Sequence, residues 1–136
     1  MKDLNYFKTA LAGLSGVLTY LFGGADAMLL ALVAFVVFDY ITGLIAAGIT
    51  KEVDSRKGLA GILKKVLYFI VVSVSHIMDT AMGFGGAVRS MVIGFLIANE
   101  GISILENCGK AGLPIPQKLL EILNQLKEKD TENKLP

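Results

Sequence analysis

The chain has 136 residues, room for one compact unit but not for two ordinary domains. Hydrophobic residues make up 54% of it and charged residues 18%, with a mean hydropathy of +0.62, where a water-soluble domain sits nearer half apolar and a quarter charged. A net charge of +1 gives a nucleic-acid partner little support, and a single cysteine, Cys108, excludes an intrachain disulfide or a cysteine metal cluster.

The apolar residues come in long blocks with the charges between them, the pattern of a small polytopic membrane protein. The first block runs from about Thr9 to Phe22. Leu4, Phe7, Leu11, Leu14, Leu18 and Leu21 recur at spacings of three and four and give one greasy helical face. Asn5, Thr9, Ala12, Gly16 and Thr19 line another face with small and polar groups. Leu4 to Phe22 is about the minimum that crosses a bilayer, and the same block also suits a position in the interface. A basic start, an apolar core and "ADA" at Ala25 to Ala27 mimic a signal peptide with its cleavage site. The apolar block that follows almost at once fits a helical hairpin better.

Gly23, Gly24 and Ala25 form a tight break. The second block, Ala27 to Ile49, is long enough to span with some tilt. The third runs from about Ile62 to Met78. Its first turn holds Lys64 and Lys65, whose stems can lie along apolar surface while their ammonium groups reach the headgroups. The fourth runs from about Ala87 to Leu105, after "MGFGG" at Met82 to Gly86. There is no tryptophan, so interfacial anchoring falls to Tyr6, Tyr20, Tyr40, Tyr68 and the lysines.

Past Leu105 the chain changes character. Asn107, Gly109 and Gly112 are helix-ending residues, and Pro114 cannot continue a helix. Pro116 suits the first position of a new helix. Leu119, Ile122, Leu123 and Leu126 mark its apolar face, opposite Lys118, Glu121, Gln125 and Glu128. The expected architecture is all-α: about four transmembrane helices within residues 1–110, then a short cytoplasmic amphipathic helix and polar tail over 111–136.

The basic residues sort among these elements. Lys2 and Lys8 precede the first span, and Lys51, Arg56, Lys57, Lys64 and Lys65 lie between the second and third. Lys110, Lys118, Lys127, Lys129 and Lys134 follow the fourth. The other two connections have no lysine and carry Asp26 and Asp79, with Arg89 the one basic exception nearby. By the positive-inside rule both termini and the central connection are cytoplasmic; a three-span chain would put basic clusters on opposite sides.

Ionisable residues also stand inside the blocks: Asp39 in the second, His76 and Asp79 toward the outer end of the third, Arg89 and Glu100 in the fourth. A charge at mid-bilayer costs roughly 3 kcal/mol or more, so such groups face protein or water. Asp39, Ser73, His76, Asp79, Arg89, Asn99, Glu100 and Ser103 are therefore candidates to line a water-filled path. Bonding helix to helix is the plainer role open to the same groups. His76 and Asp79 form an i, i+3 pair, but no nucleophile or third ligand accompanies them, so no enzyme chemistry, metal or cofactor is expected.

Small residues form stripes at a spacing of four: Gly86, Ser90, Gly94 and Ala98 in the fourth block, Gly43 and Ala47 in the second, Ala12 and Gly16 in the first. Such stripes let helix backbones approach closely in lipid, within one chain or between copies.

"DYITGLIAA" (Asp39 to Ala47), "SRKGLAGILKK" (Ser55 to Lys65) and "ANEGISILENCGKAGLPIPQKL" (Ala98 to Leu119) resemble the toxin secretion/phage lysis holin family. The resemblance covers most of the chain, from Asp39 to about Leu126, and its last segment is the most specific. It implies a small phage or prophage protein of the bacterial cytoplasmic membrane. Such a protein oligomerises and at a set time forms lesions that release an endolysin or a toxin, a functional partner that need not touch it; an antiholin is a further partner of such systems. The residues alone leave two other readings open, a small ion channel or transporter with Asp39 and Glu100 as a relay, and an antiholin-type regulator of lysis timing.

Overall fold

The computed structural model describes residues 1–119, 121, 122 and 125. It holds four long helices: α1 (Lys2–Phe22), α2 (Ala27–Thr50), α3 (Ser55–Met82) and α4 (Ala87–Lys110). Each boundary has a local cause. Gly23 turns left-handed (φ 75°) and its N–H donates to the Thr19 carbonyl, which ends α1. The Asp26 carboxylate accepts from the Leu29 N–H at 2.9 Å and starts α2, and Asp54 does the same for α3 through the Arg56 N–H. Gly83 (φ 71°) closes α3.

α1 starts at Lys2 rather than near Thr9 and α3 ends at Met82 rather than near Met78, and two further boundaries differ from the sequence-based expectation for a physical reason. α3 starts at Ser55, not near Ile62, because Asp54 caps a first turn that is basic and therefore invisible to an apolar block. α4 runs past Leu105, through Asn107 and Gly109, to Lys110. Asn107 spends its amide on α2, donating to Asp39 Oδ1 at 3.0 Å and Thr42 Oγ1 at 3.2 Å, so it does not compete with its own backbone. Gly109 sits against Ile115, and Gly112 (φ 95°) makes the turn that the sequence assigns to the whole group.

α4 is the central helix, packed on α2 and on α3, and α1 leans on α3. The contact stripes alternate threes and fours: Leu29, Leu32, Val36, Asp39, Gly43 and Ala46 on α2, and Arg89, Ile93, Leu96, Glu100, Ser103 and Asn107 on α4. Leu32, Val72, Ile93 and Leu96 form the small buried core. Phe22 meets Phe69 edge to face at 6.1 Å, which ties the end of α1 to α3. α1 has no buried residue.

The outer surface is apolar. Val37, Ile41 and Leu44 on α2, Ile70 and Val74 on α3 and Phe95 on α4 all point outward, while Glu100 and Asp79 are buried. This inside-out distribution fits a hydrocarbon solvent. α2, α3 and α4 are each long and apolar enough to cross a membrane. α1 has 21 residues, roughly 31 Å of helix at about 1.5 Å per residue, but is not among the helices that meet both criteria.

Beyond Lys110, residues Gln117 to Leu119, Glu121, Ile122 and Gln125 have helical backbone. Leu123, Leu126 and Glu128 of the expected amphipathic helix lie outside the described residues.

Candidate functional site

The ionisable residues gather in two clusters at different depths. In the first, α2, α3 and α4 each contribute one charged side chain. The Lys65 ammonium lies 2.8 Å from Asp39 Oδ2 and also donates to Glu100 Oε2. Glu100 is 2% exposed, and the Lys65 and Asp39 side chains are 15% and 13% exposed. Two carboxylates therefore share one ammonium. Asn107 adds a donor to Asp39 from α4, and Lys65 stands 5.7 Å from the centre of the Tyr68 ring. Tyr68 in turn accepts a hydrogen bond from the Asn99 amide at 2.7 Å. Among the described residues every buried side-chain polar atom has a partner.

This corrects the place given to two residues. Lys64 is exposed, but Lys65 does not reach outward for headgroups; it turns inward. Tyr68 is no surface anchor but half-buried beside Lys65 and Asn99. The signal for both was periodic: Lys65, Tyr68, Val72, Ser75 and Asp79 follow the core spacing, and Lys64 falls off it.

The second cluster closes the opposite end of the bundle. Asp79 of α3 accepts from the Val88 and Arg89 N–H groups at 3.0 and 2.8 Å, capping α4 from a neighbouring helix. The Arg89 guanidinium reaches the chain break after α1. Its Nε donates to the Phe22 carbonyl at 2.6 Å, and its two terminal nitrogens donate to the Asp26 carboxylate at 2.6 and 3.2 Å. One of them also reaches the Gly24 carbonyl at 3.3 Å. One arginine thus holds the end of α1 and the start of α2 against α4. Its hydrogen bonds, with the Leu29 N–H, hold the Asp26 carboxyl below the usual carboxylate range. His76 packs against Gly23, beside Arg89.

The remaining expected site residues separate by face. Ser75, not Ser73, is buried on α3, bonded to the Val72 carbonyl; Ser73 is half-buried. Ser103 lines a cavity with Asp39 and Lys65. Gly43 faces Asn107 within the chain, and Ala47 is half-buried. Ser90, Gly94 and Ala98 face outward on α4 and Gly86 is half-buried at its start, while Ala12 and Gly16 face outward on α1.

Residues 16–128 match the model of a bacteriophage holin family. The chain is 42% identical to an uncharacterized 14.9 kDa protein from the nagH 3′ region of Clostridium perfringens, over 93% of this chain and 96% of that one. It is 40% identical to the uncharacterized protein Lin0175 of Listeria innocua, over 93% and 92%. It is 39% identical to a probable holin of Bacillus phage phi105, over 85% and 84%. No solved structure matches the chain significantly. With a family match across most of its length, a phage holin among its relatives and, among the described residues, only helices, three of them candidate membrane spans, this chain belongs to the bacteriophage holin family, and its role is that of a phage holin in the cytoplasmic membrane.

Proposed function

We propose that the chain accumulates in the host cytoplasmic membrane, oligomerises, and opens lesions through which an endolysin, or a secreted toxin, leaves the cell. The observation that carries this reading is the Asp39–Lys65–Glu100 cluster at the seam of the three candidate spans. In one chain these charges satisfy one another, so the bundle can rest in lipid. Where the spans part or re-pair, the same groups turn to water, and a wet lining is what a lesion needs. The chain needs no covalent chemistry for this role.

In this reading α1 also crosses, giving four passes with both termini in the cytoplasm. Two features support it. The Arg89 clasp joins the end of α1 to the start of α2 at one end of the bundle, beside the start of α4. Lys2 and Lys8 belong to the other end, with Lys51, Arg56, Lys57, Lys64 and Lys110. Residues 1–110 then form the membrane domain and residues 111–136 a cytoplasmic appendage.

Expression with a cytoplasmic endolysin, followed by optical density and membrane potential, tests the proposal. Abrupt lysis with collapse of the potential is expected. Ion flux without release of protein replaces the lesion with a channel, and delay of another holin's lysis replaces it with an antiholin. A tag in the Met82 to Gly86 turn that is reachable only from the cell interior overturns the four-pass topology.

A further inference from the structure

Because α2 and α3 each pack on α4, a groove remains between them. Two adjoining cavities of about 360 and 400 Å³ make it up, sharing Tyr40 and Lys65. The shallower-lying one is apolar, walled by Val36, Val37, Ile62 and Val66. The other is lined by small residues, among them Gly43, Ala47, Gly58 and Gly61, and carries more acid than base: Asp39, Glu52 and Asp54 against Lys57 and Lys65. Behind it stands Glu100, which already shares its ammonium with Asp39. The cluster is one cation short.

The same chain displays a helix that suits this groove. α1 is exposed along its length until Leu21. Its leucines Leu11, Leu14 and Leu18 line a cavity against Leu29, Val33 and Phe69 of its own chain. Asn5, Thr9, Ala12 and Gly16 lie nearly half a turn away, at about 100° per residue. A Cβ built on Gly16 meets nothing within 4 Å. Lys8 flanks this small, polar face and, among the described residues, forms no ion pair.

Depth matches as well. The Arg89 clasp fixes one common end for α1, α2 and α4. From that end Lys8 is 14 positions along α1, Asp39 is 12 along α2 and Glu100 is 13 along α4, so all three lie roughly 18–21 Å in at about 1.5 Å per residue. Copies inserted in one sense keep this register. We infer that the groove between α2 and α3 receives α1 of a second copy, whose Lys8 supplies the second ammonium to the Asp39–Lys65–Glu100 cluster. Lys2 of the incoming helix comes toward Glu52 and Asp54. The contact is heterologous, since groove and ridge are different surfaces of one chain. It repeats head to tail and closes into a ring or extends as an arc, and each contact puts charged groups at the junction.

The inference rests on the oligomeric reading above, and cysteine crosslinking in membranes separates the two. In a Cys108→Ala background, one copy carries Thr9→Cys and a co-expressed copy Tyr40→Cys, both exposed positions at equal depth. A disulfide between the two copies is expected, and none between Thr9→Cys and Met91→Cys on the outward face of α4. Lys8→Gln in the first copy should lower the crosslinked fraction by roughly thirtyfold or more, the usual scale for truncating one partner of a desolvated charge pair. Lys2→Glu should lower it too, and Glu52→Lys in the second copy should restore it. Crosslinks through other faces without the Thr9–Tyr40 product overturn the groove and leave oligomerisation standing. No intermolecular product at any position overturns both.

Discussion

Lys65 of α3 bonds Glu100 of α4 while standing 2.8 Å from Asp39 of α2, so one side chain holds three candidate spans together through charge. Removing that ammonium leaves two carboxylates facing each other in a low-dielectric seam. Lys65→Met should therefore lower the thermal stability of the detergent-solubilised protein by up to about 3 kcal/mol and reduce its accumulation in membranes. Neutralising the acids as well, in Lys65→Met with Asp39→Asn and Glu100→Gln, should recover at least half of the loss. A triple variant no better than the single one would show that Lys65 acts by packing alone.

The same cluster separates insertion from triggering. Asp39→Leu and Glu100→Leu each remove a polar group from the seam, which makes a span easier to insert, yet they alter the charge that a lesion would expose. Both variants should reach the membrane in normal amount and shift the time of lysis in an endolysin co-expression assay. Wild-type timing in both would reduce the two carboxylates to packing groups.

At the other end, Arg89 binds Asp26 and the carbonyls of Phe22 and Gly24. Asp26 has its pKa lowered in the folded chain, so the clasp is complete above the ordinary aspartate range and is lost only as pH falls through the lowered value. Between pH 7 and 5 the α1 end should stay docked, and it should loosen only once the pH is below the ordinary aspartate range. The chain has no tryptophan, so Phe22→Trp, placed against Phe69, gives a clean fluorescence probe of docking. Arg89→Met should produce the loosened signal already at pH 7. Because the Asp26 side chain is half exposed, the cost should stay near 1–2 kcal/mol, below that of a fully buried pair.

Gly23 sits in the same clasp. Its φ is +75°, and an added Cβ would come within 2.7 Å of His76 Nδ1. Gly23→Ala thus meets a strained backbone and a crowded neighbour, and should cost roughly 1–3 kcal/mol. Gly24, at φ +99° with nothing within 4 Å, shares only the strain. Gly24→Ala should cost less, and equal thermal shifts for the two would remove the contact with His76 from the account.

The sequence made the α2 boundaries, the Gly23 break and the buried acids legible, because apolar length, glycine and intramembrane charge are each local signals. The start of α3 is hidden in a basic first turn capped by Asp54, and the end of α4 is set by a partner on another helix. Asn107 reads as a helix ender until its amide is seen on Asp39 of another helix, and Arg89 reads as an odd cation until its three partners around residue 24 come together. Lys65 reads as a surface residue in the sequence because flanking lysines usually snorkel. Only the three-and-four spacing through Tyr68, Val72, Ser75 and Asp79 distinguishes it from Lys64. Span number is hard to read from pattern, since α1 is long enough to cross but lacks the apolar density of its neighbours.

Gly94 offers the plainest contrast with Gly23. It lies mid-helix on α4, exposed, with nothing within 4 Å of a built Cβ. Inside one chain, then, Gly94→Ala should be harmless, and the better helix propensity should add about 0.5–1 kcal/mol. Between copies the outcome depends on whether Ser90, Gly94 and Ala98 form a contact face. Close backbone approach in lipid tolerates alanine poorly and isoleucine hardly at all. Gly94→Ile should therefore leave monomer stability and membrane insertion near wild type, thin the chemical crosslinking ladder and delay lysis. An unchanged ladder with Gly94→Ile would confine self-association to other surfaces, because no bulky branched side chain fits a helix contact that needs glycine.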